Sequence, residues 1–329
     1  MTDQTTPPPE YAETPDKVRL PWLRLRGEIH PFSAVLLSTT CILVCFGLWW
    51  YVTNGETVEG RIVSSASLPS PGETFRSFKS LWFDRALTRN VVVTLKRVSL
   101  GFALAAVVGV PVGVLAGCFP TVRAFVAPLV IFGRNIPIAA LIGLTFLFFG
   151  IGEGQKVMFI FLACVAFVLA DTTASVMDVS QSYVDTAYTL GASRWQTVMK
   201  VLVPLAMPTV FNSLRLLFGL AFGYVMLAEL VRFGNEAGGL GNLINVSLRQ
   251  GPREHVYLIV LIIPAVALAI DRVLFLIQRS LFPSRYGGHG LLNRGVRTSL
   301  HLWDDVKRLA WKSQPAADAL GPQQGEQRS

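Results

Sequence analysis

The sequence predicts an all-α membrane protein with six transmembrane helices and both termini in the cytoplasm, on three observations. Of 329 residues, 52% are hydrophobic and only 15% charged, where soluble chains hold roughly 25% charged residues. The charges crowd into both ends and two internal stretches, leaving long apolar runs between them. The basic residues are also lopsided: Lys17, Arg19, Arg24 and Arg26, the stretch beyond residue 276, and Arg123, Arg194 and Lys200 all fall on one side of the predicted spans. By the positive-inside rule that side is cytoplasmic. The net charge of +8 is mostly this bias and does not describe a nucleic-acid surface. A disordered chain, a secreted disulfide scaffold and a cytosolic enzyme are excluded.

In chain order, residues 1–32 form a polar, Pro-rich cytoplasmic leader. A bilayer core needs about 20 apolar residues per helix, and such runs lie near 33–53, 91–117, 124–149, 156–172, 209–231 and 256–276. The first is a true span and not a cleaved signal, because no small-residue cleavage site follows it. Trp49, Trp50 and Tyr51 close it as an interfacial aromatic belt. The extracytoplasmic loop 54–90 turns amphipathic at Phe75, Phe78, Leu81 and Trp82, which predicts one helix lying on the membrane surface. Residues 91–283 make a core of five spans, and 284–329 a partly disordered cytoplasmic tail with one helical pattern at Leu300, Trp303, Val306 and Leu309. Cys41, Cys45, Cys118 and Cys164 lie in or beside apolar runs without zinc spacing, as small buried hydrophobes do.

The cytoplasmic loop 173–208 is neither membrane-like nor an ordinary connection. Residues 179–190 have helical character, with Tyr183, Ala187 and Leu190 along one face, and Gly191 breaks the pattern. Glycine there allows a sharp bend or a positive φ. Ser193 is a plausible N-cap for a second helix through Trp195, Val198, Met199 and Leu202, which ends before Pro204 and Pro208. Such a knuckle, with Tyr188, Leu190 and Trp195 exposed, suits docking into a groove on another protein. It also suits packing back on its own bundle, and the residues alone leave both open.

The run Asp185-Thr186-Ala187, three residues, Gly191, nine residues, Val201-Leu202-Val203-Pro204 resembles the EAA motif of ABC-importer permeases. That motif reads E-A-A, three residues, G, nine residues, I, any residue, L-P. Asp replaces Glu, Thr the first Ala, Val the Ile and Val the Leu; the charge sign, Gly, Pro and spacing stand. Leu68-Pro-Ser-Pro71, Thr94-Leu-Lys-Arg97, Arg134-Asn-Ile-Pro137, Phe149-Gly-Ile-Gly-Glu153, Ala228-Glu229-Leu230 and Gly239-Leu-Gly241 follow in order. They are similar to the nitrate/sulfonate/taurine/bicarbonate branch of those permeases over roughly residues 68–283. Asp171-Thr172 stands where that branch usually has Asn-Thr.

The resemblance implies a type I ABC-importer permease fold in a bacterial inner membrane. It also implies a homodimer, separate ATPase subunits carrying ATP and Mg, and a periplasmic binding protein that delivers a small anionic solute. Asp185, Thr186, Ala187, Gly191, Ala192, Trp195, Val201 and Pro204 would then form the ATPase-coupling loop. This chain carries no phosphate loop of its own: Gly150-Ile-Gly-Glu-Gly-Gln-Lys156 has the wrong spacing. No cofactor or metal is expected on it, and no catalytic constellation is present, since His30, His255, His289 and His301 are scattered.

Candidate translocation-path residues are Arg134, Asn135, Pro137 and Glu229. Arg134 stands about ten residues into the third span, about 15 Å deep at 1.5 Å per residue. It faces the path or bonds helix-end carbonyls near Pro137. Glu229 is a gate residue or the partner of Arg97. Arg215 is placed to snorkel to the cytoplasmic interface. The rival readings are a membrane scaffold that docks a non-ATPase partner and a secondary transporter. The motif spacing speaks against both.

Overall fold

The computed structural model describes residues 30–55, 61–64, 67–231, 238–250 and 253–283. The leader up to His30 and the tail from 284, with its helical pattern, lie outside the described residues. The chain divides into two units, Met1–Glu73 and Thr74–Ser329. In the first, α1 (Pro31–Thr53) has Pro at its start and His30 capping the Phe32 amide. Trp49 Nε1 donates to the Pro69 carbonyl at 3.1 Å. The loop that follows reaches α2 (Pro71–Arg76). There Glu73 accepts from the Ser70 amide at 2.8 Å and pairs with Arg61 at 3.2 Å.

In the second unit, the single surface helix predicted before residue 90 is two short helices. Ser77 interrupts α2 and caps α3 (Phe78–Phe83), which buries Leu81 instead of laying it on a surface. The helix α4 (Leu87–Cys118) and α7 (Glu153–Met177) run parallel as the central pair. Their approach is set by a glycine row. A Cβ added at Gly101, Gly109, Gly113 or Gly117 would stand 2.6–2.8 Å from atoms of α7 around Ile160, Val168, Thr172 and Val176. Phe159, Ile160, Val168, Phe222, Val225 and Ile259 are buried in the core.

The third span is not one helix. It is α5 (Pro120–Asn135) and α6 (Ile138–Phe149), bent by 105°. A proline excludes the α region for the residue before it, and Ile136 accordingly sits at φ −65°, ψ 127° before Pro137 at φ −60°, ψ 118°. Among the described residues five helices are long and apolar enough to cross a membrane, and the bent pair makes up to six spans.

The fifth span also differs from its prediction. It begins 15 residues early, within the loop: α9 (Arg194–Thr197), a π-helical turn (Val198–Leu202) and α10 (Val203–Leu230) form one apolar rod of 37 residues. The two prolines do not stop it. Pro204 sits in the first turn of α10, where its missing N–H costs least. The wider π turn lets the Val203 amide reach the Val198 carbonyl. Pro208 is accommodated inside α10, its carbonyl accepting from Gln278 Nε2 at 3.2 Å. Two further helices complete the unit, α11 (Leu240–Gln250) and α12 (Arg253–Leu281).

Candidate functional site

At one end of the bundle the loop after α7 folds as α8 (Gln181–Thr189), a tight glycine turn and α9. Gly191 takes φ +79° with nothing within 4 Å of an added Cβ, so backbone strain alone demands glycine there. The Gly191 amide donates to the Tyr188 carbonyl at 2.9 Å and the Ala192 amide to the Ala187 carbonyl at 3.0 Å. That pair of bonds is a Schellman closure. Ser193 then opens α9 with a reciprocal cap: its Oγ accepts from the Gln196 amide, and its own amide donates to Gln196 Oε1 at 2.9 Å.

This knuckle has two faces. Ala187, Thr197 and Val198 are buried against the bundle, above a cavity of about 440 Å³ lined in part by Cys118, Val176 and Leu202. Tyr183, Leu190 and Trp195 are exposed, with Leu190 81% exposed, and Tyr188, half exposed, stands at the rim of the cavity. Asp185 accepts from Gln181 Nε2 at 3.1 Å, and the Thr186 hydroxyl bonds back to the Ser182 carbonyl. Val201 and Pro204 belong to the stem that leads into the membrane-crossing part of the rod.

Midway along the bundle, α5 ends at Arg134 and Asn135, and Pro137 caps α6. All three are exposed. Asn135 Nδ2 donates to the Ile131 carbonyl at 2.7 Å. The Arg134 guanidinium does not bond helix-end carbonyls near Pro137, as one expectation had it; it lies over the Phe167 ring of α7, 5.1 Å from its centroid. A charged arginine at the centre of a bilayer costs roughly 2.5–3.5 kcal/mol on insertion scales, so a polar environment is required of this place.

At the opposite end Glu229, on the last turn of α10, is wholly buried and engaged. It meets Arg97 Nη1 at 2.7 Å, accepts from the Thr94 hydroxyl at 2.9 Å and from the Gly241 amide at 3.0 Å. Arg97, itself buried, turns its Nε to Glu153 at 2.7 Å and gives Nη1 to the Gly238 carbonyl at 2.9 Å. Asn90 Oδ1 takes the Gly239 amide at 2.8 Å. Gly238 and Gly239 hold φ +120° and +106°. A side chain on Gly239 or Gly241 would strike Glu229. Of the two expectations for Glu229, pairing with Arg97 is the one this geometry makes. Thr94, Glu153 and Asn90 were not foreseen as members; Thr94 and Glu153 stood in quoted motifs, and Asn90 carried no signal in the sequence.

Arg215 does not snorkel. It pairs with Asp271 of α12 at 2.8 Å, gives Nη1 to Gln278 Oε1 at 3.0 Å and lies over the Phe275 ring.

Apolar helices long enough to cross a bilayer, a broken pair and an exposed helical knuckle at one end define a polytopic membrane protein. Residues 109–285 match the family described as binding-protein-dependent transport system inner membrane component. The chain belongs to that family. It is 29% identical over 254 residues to the taurine transport system permease protein TauC of Escherichia coli K12, covering 76% of this chain and 90% of that one. It is 32% identical over 196 residues to the bicarbonate transport system permease protein CmpB of Synechococcus elongatus, covering 60% and 70%. An inward-facing structure of the MetNI methionine ABC transporter shares the fold with a TM-score of 0.54 at 22% identity. It covers 62% of this chain and 98% of that one.

Proposed function

We propose that this chain is the translocation subunit of an ATP-driven importer for a small solute, anionic at one end at least. It works as a homodimer with both termini in the cytoplasm. A periplasmic binding protein delivers the solute, and a separate ATPase, which carries the ATP and Mg, docks on the 181–200 knuckle. The observation that carries this reading is the knuckle itself: apolar Tyr188, Leu190 and Trp195 stand exposed around a φ +79° glycine. They head a continuous rod into the bundle. An exposed apolar patch of this kind marks an interaction site, and a rod is what transmits a partner's motion between bistable packings.

Asp185, Thr186, Ala187, Gly191, Ala192 and Trp195 form the docking element, with Val201 and Pro204 its stem. Arg134, Asn135 and Pro137 line the path, because irregular backbone at membrane depth is tolerated only inside protein or beside a water-filled cavity. Glu229 acts as a structural tie at the outer end. The solutes in the relatives' names, taurine with its sulfonate and the anion bicarbonate, support the lean toward a small solute that carries an anionic group.

The test is a pull-down of the tagged protein from mild detergent beside Gly191→Arg, with partners identified by mass spectrometry. Arginine there must take a conformation costing about 1–2 kcal/mol for any L-residue and places a charge at the apex. An ATPase subunit that copurifies with wild type and is lost from a monodisperse variant is the expected result. A well-folded wild type with no ATPase would replace this reading with a scaffold or a secondary carrier.

A further inference from the structure

The cavity of about 440 Å³ beneath the knuckle is walled by elements from both sides of it. Cys118 and Phe119 come from the α4–α5 corner, Val176 and Met177 from the last turn of α7, and Arg194 and Leu202 from the knuckle and its stem. Both α4 and α7 are long and apolar enough to cross a membrane, and both end here, at Cys118 and Met177. The cavity therefore stands where span gives way to surface, at the level of lipid head groups.

Its chemistry is divided. Phe119, Val179, Val198 and Leu202 make an apolar wall, and Arg194 adds a cation to the lining. A second cation stands at its edge: Arg123, half-buried on α5, puts Nη1 against Sδ of Met177, a lining residue, at 2.7 Å. A thioether is only a weak acceptor. Among the described residues neither guanidinium pairs with a carboxylate. The neighbouring acids Asp178 and Asp185 do not line the cavity, and Asp185 accepts from Gln181 at 3.1 Å. Guanidinium groups match a phosphate with parallel N–H donors, and basic pockets between transmembrane helices bind phospholipid head groups. A free phosphate would satisfy the arginines and leave the valine and leucine wall wet. A glycerophospholipid meets both, with its phosphodiester at the cations and its glycerol and first methylenes on the apolar wall. A choline head group would bring a third positive charge beside two arginines, so the lipid must be anionic. The volume falls within the roughly 300–1,000 Å³ of small-molecule sites, room for a head group while the acyl chains stay in the bilayer.

We propose that this cavity is a site for one anionic phospholipid, which takes Arg194 and Arg123 with its phosphodiester and seats the knuckle on the membrane surface. The proposal goes beyond the transport reading and asks nothing of an ATPase, because the lipid lies between the knuckle and the bundle.

The test reads Cys118, half-buried in the cavity wall. The full-length protein, stripped of lipid in a neutral detergent, is alkylated with N-ethylmaleimide, and peptide mass spectrometry follows each cysteine. Dioctanoylphosphatidylglycerol, dioctanoylphosphatidylcholine and glycerophosphate are compared at equal concentration. A ligand at about ten times its Kd leaves about a tenth of the sites open, so phosphatidylglycerol slows Cys118 about tenfold and the other two leave its rate unchanged. Arg194→Gln and Arg123→Gln each raise the phosphatidylglycerol concentration for half protection by about tenfold, the effect of one lost charge-assisted bond. Equal protection by phosphatidylcholine overturns the proposal, since the arginines then select nothing. Equal protection by glycerophosphate overturns the lipid as occupant. So does a Cys118 rate that phosphatidylglycerol does not change, or an equal slowing at Cys41 and Cys45 of α1. The wild-type contrast decides the matter even if a variant is unstable. A pull-down that finds no ATPase leaves this result standing, so the two readings fail separately.

Discussion

Replacing Arg97 with Gln leaves the Glu229 carboxylate buried with only the Thr94 hydroxyl and the Gly241 amide as donors. The side chains of this pair are 2% and 0% exposed, so water cannot substitute for the lost guanidinium. Breaking one side of a buried pair costs about 3–5 kcal/mol. The loss here falls toward the upper part of that range, since Arg97 also bonds Glu153 and the Gly238 carbonyl. At about 2–4 °C per kcal/mol for a chain of this size, the apparent Tm drops by about 6–20 °C. Tryptophan fluorescence during thermal unfolding in detergent reads the shift. Glu229→Gln keeps a hydrogen-bonding group of the same shape and removes the charge, so the double variant Arg97→Gln/Glu229→Gln recovers a large part of the loss. A single-variant shift below about 2 °C, or a double variant that merely sums the two singles, refutes the buried-pair reasoning, because coupled partners are non-additive.

Gly113→Val puts a branched side chain where a Cβ already meets Thr172 at 2.7 Å and the Leu169 carbonyl at 2.8 Å. Backbone cannot yield as a side-chain tip can, so overpacking costs about 1–3 kcal/mol or more, read as a lower Tm and loss of the monodisperse peak in size-exclusion chromatography. The Glu73 carboxyl is held below its usual range, chiefly by the Ser70 amide, with Arg61 adding to the effect. A carboxyl whose folded pKa is lowered contributes fully above its unfolded value and loses its contribution as pH falls through the folded one. The protection factor of the Ser70 amide, its exchange rate taken relative to the intrinsic rate at each pH, is therefore highest near neutral pH and falls only below the ordinary 4.5; Glu73→Gln removes that dependence.

Single residues announced part of this architecture. Gly191 and Ser193 were legible because a left-handed turn and an N-cap each demand a particular chemistry, and the chain takes φ +79° at one and a reciprocal cap at the other. Arg97 and Glu229 were legible as partners because two charges in apolar runs must compensate each other. The break between α5 and α6 was not, although Pro137 stood in plain view. Apolar length counts residues and is blind to direction, so 26 apolar positions read the same straight or bent. The prolines at 204 and 208 misled in the opposite sense. A helix start next to a π turn absorbs the missing amide of Pro204, and Pro208 stays inside α10 with its carbonyl held by Gln278, a tertiary accommodation that local propensity does not encode. The buried tie of Thr94, Asn90 and Glu153 needed the third dimension, since its members are separated by as many as 149 residues.

The rod from Arg194 to Leu230 is 37 residues long, about 55 Å at 1.5 Å per residue. Trp195 stands near its first turn and Glu229 on its last, so both ends of the bundle are attached to one lever. A tilt of about 5° around its midpoint swings each end by roughly 2.4 Å over that length, comparable to the reach of a hydrogen bond. Leverage at the knuckle and strain on the Arg97 tie are therefore one motion measured at two addresses. Pro208, whose carbonyl accepts from Gln278, ties the rod to α12 close to that midpoint.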